Sequence, residues 1–281
     1  MEIINADSMQ VYRYLDIGTS KPTPAEQKRV PHHLLSMVNP DEEFSAAQFK
    51  ERARRVISDV SSRGLLPLVV GGTGLYIRAL TRGLFPAPAK SEELRAQLRH
   101  REEREGKESL YRQLQEQDPL SAQRINPPDT LRIIRALEVL HLTGVPISRH
   151  QQAHAFTDAP YEVLKIGLMR ERTELYRRID ERVGQMIEEG LADEVRALLA
   201  RGYASSLKSL QSIGYKQMAA FIEGRLTREQ AMQQMKRDTR RLAKRQLTWF
   251  RHDPDIHWIM LPEALQEAAV KIKNFLKPGI N

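Results

Sequence analysis

The chain has 281 residues, 41% of them hydrophobic and 28% charged, a balance that suits one large domain or a core domain carrying an insertion. It has no cysteine, which excludes disulfides, thiolate zinc sites and a cysteine nucleophile. No apolar run approaches the roughly 18 residues of a membrane span. The opening MEIINADSMQ lacks the basic and apolar regions of a secretory signal, so no membrane partner and a cytoplasmic protein are expected. The net charge of +8 favours a polyanionic partner without identifying one.

In chain order, Glu2 to Asn5 reads as a short strand followed by the polar turn Ala6-Asp7-Ser8. Ser45 with Gln48 three residues on is a capping box. Phe49, Ala53, Val56, Ile57 and Val60 then recur at helical spacing, and Gly64 supplies the stop. Leu66 to Val70 is a buried strand ending in Gly71-Gly72-Thr73-Gly74. Strand, helix and strand form a parallel α/β unit, whose ligands bind beyond the carboxyl ends of the strands. Asp7 and Thr73 both fall at such ends, so one cleft is expected to hold both.

Residues 86–160 change character. Pro86 and Pro88 break the chain, Ser91 caps a charged helix to about Glu105, and a second helix leads to Asp118-Pro119. Asp129 caps a third, stopped near Gly144. Nothing there reads as a strand, so a helical insertion is expected, with residues 1–85 and 161–281 forming the core. Tyr161 to Met169 reads as a return to the sheet. A helix with Leu175, Ile179, Val183, Met186 and Ile187 on one side follows, then a short one from Ala192 to Arg201, then a long basic one to about Phe250.

That last helix carries much of the charge excess. From Arg225 to Arg251 there are nine Lys or Arg and two acids. Lys236, Arg240 and Lys244 lie four apart, as do Arg237, Arg241 and Arg245, two adjoining rows on one face. Like charges at that spacing repel, and a nucleic-acid backbone turns the repulsion into counterion release. Gln246, Thr248, Trp249 and Arg251 add hydrogen-bonding groups and an aromatic plane suited to an unstacked base; Trp249 also suits core packing. Asp7 serves either as a turn former or as a proton acceptor. The glycine loop either meets phosphates or is a tight turn, with Thr73 adding a hydroxyl. Arg178 and Arg182 share a helix row and either grip a pyrophosphate or pair with Glu174 and Glu181. His32 and His33 point to opposite faces of an extended stretch, which favours structural roles over a metal site.

Taken together, EIINADSMQVY, DIGTSKPT, PHHLL, GGTGLYIRAL, DTLRIIRALEV with TG after it, SLQSIGYKQ and KRQLTWFR stand in the order seen in bacterial tRNA dimethylallyltransferases. The chain resembles that family from Glu2 to about Arg251. The resemblance implies a P-loop-kinase-like parallel sheet flanked by helices, with an all-helical insertion that grips the tRNA anticodon arm. It implies transfer of a prenyl group from dimethylallyl pyrophosphate to the exocyclic amine of the adenosine 3′ of the anticodon, with magnesium as cofactor. Asp7 matches the carboxylate that takes the amine proton, and Thr73 the hydroxyl against the bridging oxygen. Segments matching those that meet the tRNA are Asp7, Ser8, Met9 and Gln10; Gln123, Arg124, Ile125, Asn126 and Pro127; Gln211, Ser212, Ile213, Gly214, Tyr215 and Lys216; and Lys244, Arg245, Gln246, Leu247, Thr248, Trp249, Phe250 and Arg251. Thr73 and Arg95 join them. A monomer is expected.

The family's opening strand and phosphate loop, G-x-x-x-x-G-K-[ST], have no counterpart in this sequence. The expectation is that a strand, loop and helix of roughly 25 to 30 residues is missing, and that the chain as written has little or no activity and folds poorly. Three alternatives compete. A nucleotide kinase needs the absent loop. A prenyltransferase of free adenine nucleotides has no use for the basic rows. A non-catalytic RNA-binding remnant leaves Asp7 and Thr73 unexplained.

Overall fold

A computed structural model describes residues 1–106, 108–156, 158–262 and 265–276. It divides into two compact units, one of Met1–Leu80 with Tyr161–Asn281 and one of Thr81–Pro160. The second boundary falls after Pro160. The first comes a few residues earlier than 85, within a helix that the sequence reading did not foresee. Among the described residues no helix is long and apolar enough to cross a membrane.

The first unit opens with β1 (Glu2–Asn5), α1 (Pro24–Arg29), β2 (His32–His33), α2 (Ala46–Ser62), β3 (Pro67–Val70) and α3 (Gly74–Arg82). The strands form a parallel sheet in the order β2-β1-β3, with Asn5 opposite Val70 at the carboxyl end. α2 starts at the Ser45 capping box, whose hydroxyl accepts from the Gln48 amide. Its stripe of Phe49, Ala53 and Val60 is buried with Ile4, Tyr76 and Leu80, and the Phe49 and Tyr76 rings stack 4.3 Å apart. Each such large apolar side chain contributes about 1.5–3 kcal/mol by leaving water. The two histidines are structural: His33 Nε2 lies 2.7 Å from Glu2 Oε2, and His32 Nδ1 lies 2.7 Å from the Val30 carbonyl.

The chain returns to this unit with β4 (Lys165–Met169), α9 (Arg172–Glu188), α10 (Leu191–Ala200), α11 (Tyr215–Ile222), α12 (Arg228–Arg251), β5 (Ile256–Met260) and α13 (Leu265–Leu276). The strand expected within Tyr161–Met169 forms, but among the described residues it does not join the first sheet. It pairs in parallel with β5, an unforeseen strand that supplies a ladder from Lys165–Ile256 to Met169–Met260. α9 to α12 gather a separate core around Val183, Leu191, Leu198, Leu210, Tyr215 and Met235.

The second unit is helical, as expected: α4 (Glu92–Glu105), α5 (Ser109–Gln117), α6 (Pro119–Ala122), α7 (Thr130–Thr143) and α8 (Ile147–His154). Ser91 and Asp129 cap α4 and α7 through their side chains. Leu110, Leu114, Ile133 and Leu137 form its core. Beside them the Glu138 carboxylate is fully buried. Arg95 meets it through two bonds of 2.7 and 2.9 Å, Arg135 through another, and the Ser91 amide at 2.9 Å. Burial pushes the Glu138 carboxyl up, but the hydrogen bonds from Arg95, Arg135 and Ser91 outweigh it and hold the group at about 2.

Glu138→Gln is expected to cost about 3–5 kcal/mol, because two arginines lose the charge that compensates them. The native carboxyl sits below its ordinary 4.5, so its contribution is complete above pH 4.5 and is lost as pH falls towards 2. Urea denaturation between those pH values should show a flatter pH dependence for the variant than for the wild type.

Candidate active site

Two loops meet at the carboxyl edge of the first sheet. The Thr73 amide donates to the Ala6 carbonyl at 3.2 Å, and Thr73 Oγ1 accepts from the Ser8 amide at 2.9 Å. A Cβ at Gly71 would fall 2.4 Å from the Ala6 carbonyl carbon, so only glycine permits this approach. Asp7 and Thr73, far apart in sequence, thus stand on adjoining strand ends. Asp7 Oδ1 accepts from the Met9 amide at 2.7 Å and the Gln10 amide at 3.4 Å. Asp7 Oδ2 has no hydrogen-bond partner among the described residues. One carboxylate oxygen therefore forms the turn while the other is left for a ligand.

α9 separates the two arginines that the sequence set side by side. Arg178 Nε donates to Glu174 Oε1 at 2.7 Å in an exposed i,i+4 pair. Arg182 instead reaches Ser20 Oγ at 2.8 Å. Lost hydration lowers the Arg182 pKa, and the negative charge of Asp7 acts in the opposite direction, so the two groups are within electrostatic reach. Of the two, Arg182 is the one whose titration feels Asp7. Ser20 lies on the segment DIGTSKPT, which a distant residue holds in place. Glu194 on α10 accepts from the amides of Asp16 (3.2 Å), Ile17 (2.8 Å) and Gly18 (3.4 Å) and from the Tyr215 hydroxyl (2.6 Å). The same loop binds the Gln10 side chain, whose Nε2 donates to the Thr19 and Ser20 carbonyls. Glu194 and Ser20 escaped the sequence reading, because nothing local in ADEVRALL signals a contact nearly 180 positions away.

The end of α12 closes on the glycine loop. Gln246 Nε2 donates to the Gly72 carbonyl at 3.1 Å, and a Cβ at Gly74 would fall 2.1 Å from Trp249 Nε1. The loop glycines are thus close-packing positions for Gln246 and Trp249. Trp249 is not core: it is 39% exposed, with the Arg78 guanidinium 5.1 Å from its ring centroid. The two basic rows also part. Arg240 turns to Asp180 and lies over the Tyr176 ring, a structural assignment, whereas Arg237, Arg241, Lys244 and Arg245 are exposed.

The remaining residues expected to meet RNA sort by burial. Within the segment from Gln211 to Lys216, Gln211 is exposed, Ser212, Ile213 and Lys216 are half-buried, and Gly214 and Tyr215 are buried. Tyr215 therefore acts through Glu194 and its place in the core. Met9 packs on the same core. Towards the end of α12, Thr248 and Arg251 are exposed, while Leu247 and Phe250 are half-buried. In the helical unit, Gln123, Arg124, Asn126 and Pro127 are exposed and Ile125 packs inward. Arg95 is committed to Glu138.

A carboxylate and a hydroxyl on adjoining parallel strand ends, beside an arginine and an exposed cationic helix, define an α/β enzyme built for a negatively charged substrate. The sequence matches the IPP transferase family over residues 10–253. It is 56% identical over 257 residues to tRNA dimethylallyltransferase 2 of Syntrophus aciditrophicus, covering 92% of this chain and 83% of that one. It is 49% identical over 278 residues to the tRNA dimethylallyltransferase of Desulfosudis oleivorans, covering 99% and 88%. Among solved structures, the tRNA isopentenylpyrophosphate transferase of Bacillus halodurans matches with a TM-score of 0.70 at 41% identity, covering 98% of this chain and 86% of that one. A eukaryotic dimethylallyltransferase acting on tRNA matches with a TM-score of 0.78 at 28% identity, covering 97% and 72%. The chain belongs to the IPP transferase family.

Glu194→Ala leaves three backbone amides and the Tyr215 hydroxyl without their acceptor and is expected to cost about 3 kcal/mol. Chemical denaturation of the variant measures this. A stability equal to the wild type would show that the DIGTSKPT loop is held by other contacts.

Proposed function

We propose that the protein transfers a dimethylallyl group from dimethylallyl pyrophosphate to the exocyclic amine of the adenosine 3′ of the anticodon in tRNA, releasing pyrophosphate. The observation that carries this reading is the meeting of Asp7 and Thr73 at one sheet edge, next to the exposed end of α12. The adenine amine is a poor nucleophile because its lone pair is delocalised into the ring. Asp7 Oδ2 orients it and accepts its proton as nitrogen bonds to the allylic carbon. The carbon–oxygen bond of the donor breaks, and its electron pair leaves with pyrophosphate. Thr73 Oγ1 accepts from the Ser8 amide and donates to Ser8 Oγ at 3.2 Å, and turning that proton from Ser8 to the bridging oxygen stabilises the departing charge. Arg182 places positive charge where the leaving group's charge develops.

Magnesium suits this edge. Among the described residues no cluster of three or more His, Asp or Glu could hold a metal alone. Magnesium commonly keeps several waters and leans on substrate phosphates, so the Ser8 hydroxyl and the pyrophosphate oxygens would hold it, leaving Asp7 Oδ2 and the Thr73 hydroxyl for the reaction. Bound there, it would neutralise pyrophosphate charge. The exposed cations of α12 favour tRNA over free adenine nucleotides, since a mononucleotide cannot span them.

The test is incorporation of label from dimethylallyl pyrophosphate into an anticodon stem–loop RNA. It is run with the 281-residue chain and with the same chain preceded by a strand–phosphate-loop–helix segment of the family. Label is expected in the RNA and not when guanosine replaces the target adenosine. Asp7→Ala should lower kcat by about 10²- to 10⁴-fold, and Thr73→Ala by about 10²- to 10³-fold. RNA binding with no label from either form would leave a binding protein only. Label entering free AMP as readily as RNA would make it a nucleotide prenyltransferase.

A further inference from the structure

Ser20 holds an unusual backbone. Its φ of 47° lies in the left-handed region that residues other than glycine rarely adopt. Such conformations persist where the surroundings over-determine them, and here they do. The Ser20 amide donates to the Ile17 carbonyl and the Lys21 amide to the Asp16 carbonyl, both at 3.0 Å. Thr19 Oγ1 donates to the Leu15 carbonyl at 2.6 Å. The Lys21 side chain is almost wholly buried, and its ammonium donates to the Tyr12 carbonyl and Asp16 Oδ1 at 2.7 Å and to Ser36 Oγ at 3.0 Å. Glu194 and Gln10 add the bonds described above. None of these contacts uses the Ser20 hydroxyl. It is left to accept from Arg182 Nε at 2.8 Å, across 162 positions of sequence.

That single bond leaves most of the guanidinium unused. Arginine carries five N–H groups in a planar fork. Ser20 takes the one on Nε, and among the described residues no acceptor takes those on Nη1 and Nη2. Paired donors in one plane match two phosphate oxygens. The tether is also uncharged. Glu174 neutralises Arg178 and Asp180 neutralises Arg240, whereas a hydroxyl fixes Arg182 and leaves its charge intact. A long side chain loses rotamer freedom when it grips a ligand, and a tether that removes this freedom beforehand tightens the grip.

We infer that Ser20 is a positioning residue: its hydroxyl tethers Nε of Arg182 so that the two Nη groups are presented to the pyrophosphate of the prenyl donor. Ser20 acts through Arg182 and not by touching the donor. This rests on the pyrophosphate role proposed for Arg182 above and gives the left-handed Ser20 backbone a function.

The test is isothermal titration of inorganic pyrophosphate, with magnesium present, into the 281-residue chain and into Ser20→Ala, Arg182→Ala and the double variant. Ser20→Ala is expected to weaken binding about tenfold, the worth of one hydrogen bond to a charged group, and Arg182→Ala to weaken it more. The two losses should not add: in the Arg182→Ala background, Ser20→Ala should change the affinity by less than about twofold. Ser20→Ala should melt as the wild type does, because Ser20 is exposed and the other bonds of its loop remain. Full pyrophosphate affinity in Ser20→Ala, or an equal loss with and without Arg182, would overturn the inference and leave the proposed function standing. A lowered melting temperature would make the loss a loop defect, with the same consequence. Full affinity in Arg182→Ala, or no binding by the wild type, would overturn the inference together with the pyrophosphate role of Arg182.

Discussion

The close passage of the Ala6 backbone past Gly71 is the constraint on which the site depends. Parallel pairing of β1 and β3 brings the two strand ends into register, and the missing side chain at Gly71 lets the Thr73 amide reach the Ala6 carbonyl. Any Cβ there would drive the loops apart and carry the Thr73 hydroxyl away from Ser8. The same loop then leaves room at Gly72 and Gly74 for Gln246 and Trp249. One glycine-rich turn thus joins the strand ends to the end of α12.

Around that turn the protein divides its cations by what they face. Arg240 and Arg95 sit against carboxylates of other helices and join them, while Arg178 pairs with Glu174 of its own helix. Arg182 faces a hydroxyl and the field of Asp7 rather than a carboxylate contact. Arg237 and Arg241 are exposed beside Asp238, and Lys244 and Arg245 face water. An arginine already neutralised at short range adds little to binding an anion, whereas one held near a free carboxylate oxygen or in solvent retains its charge for a ligand. Glu194 takes part from a distance: by gathering three consecutive amides it shapes the loop that offers Ser20 to Arg182 and two carbonyls to Gln10.

What the sequence determined by itself was local. The capping boxes at Thr23, Ser45 and Thr227 and the caps at Ser91 and Asp129 start helices through bonds spanning three residues, and those at Ser45, Ser91 and Asp129 were legible in advance. Asp7 and Thr73 could be placed at one edge because parallel strands bring their carboxyl ends together whatever separates them in the chain. The ordered motifs pointed to the family, which the comparisons bear out. Only the tertiary structure decided which member of a charged row is spent internally. Arg178 and Arg182 are equivalent in spacing, and so are Arg237 and Arg240, until neighbouring elements supply Glu174, Ser20 or Asp180. Likewise β4 was legible as a strand but its partner β5 was not, and Glu194 carried no local mark. Such outcomes depend on contacts between segments far apart in the chain, and spacing along one helix or strand holds no information about what will be packed against it.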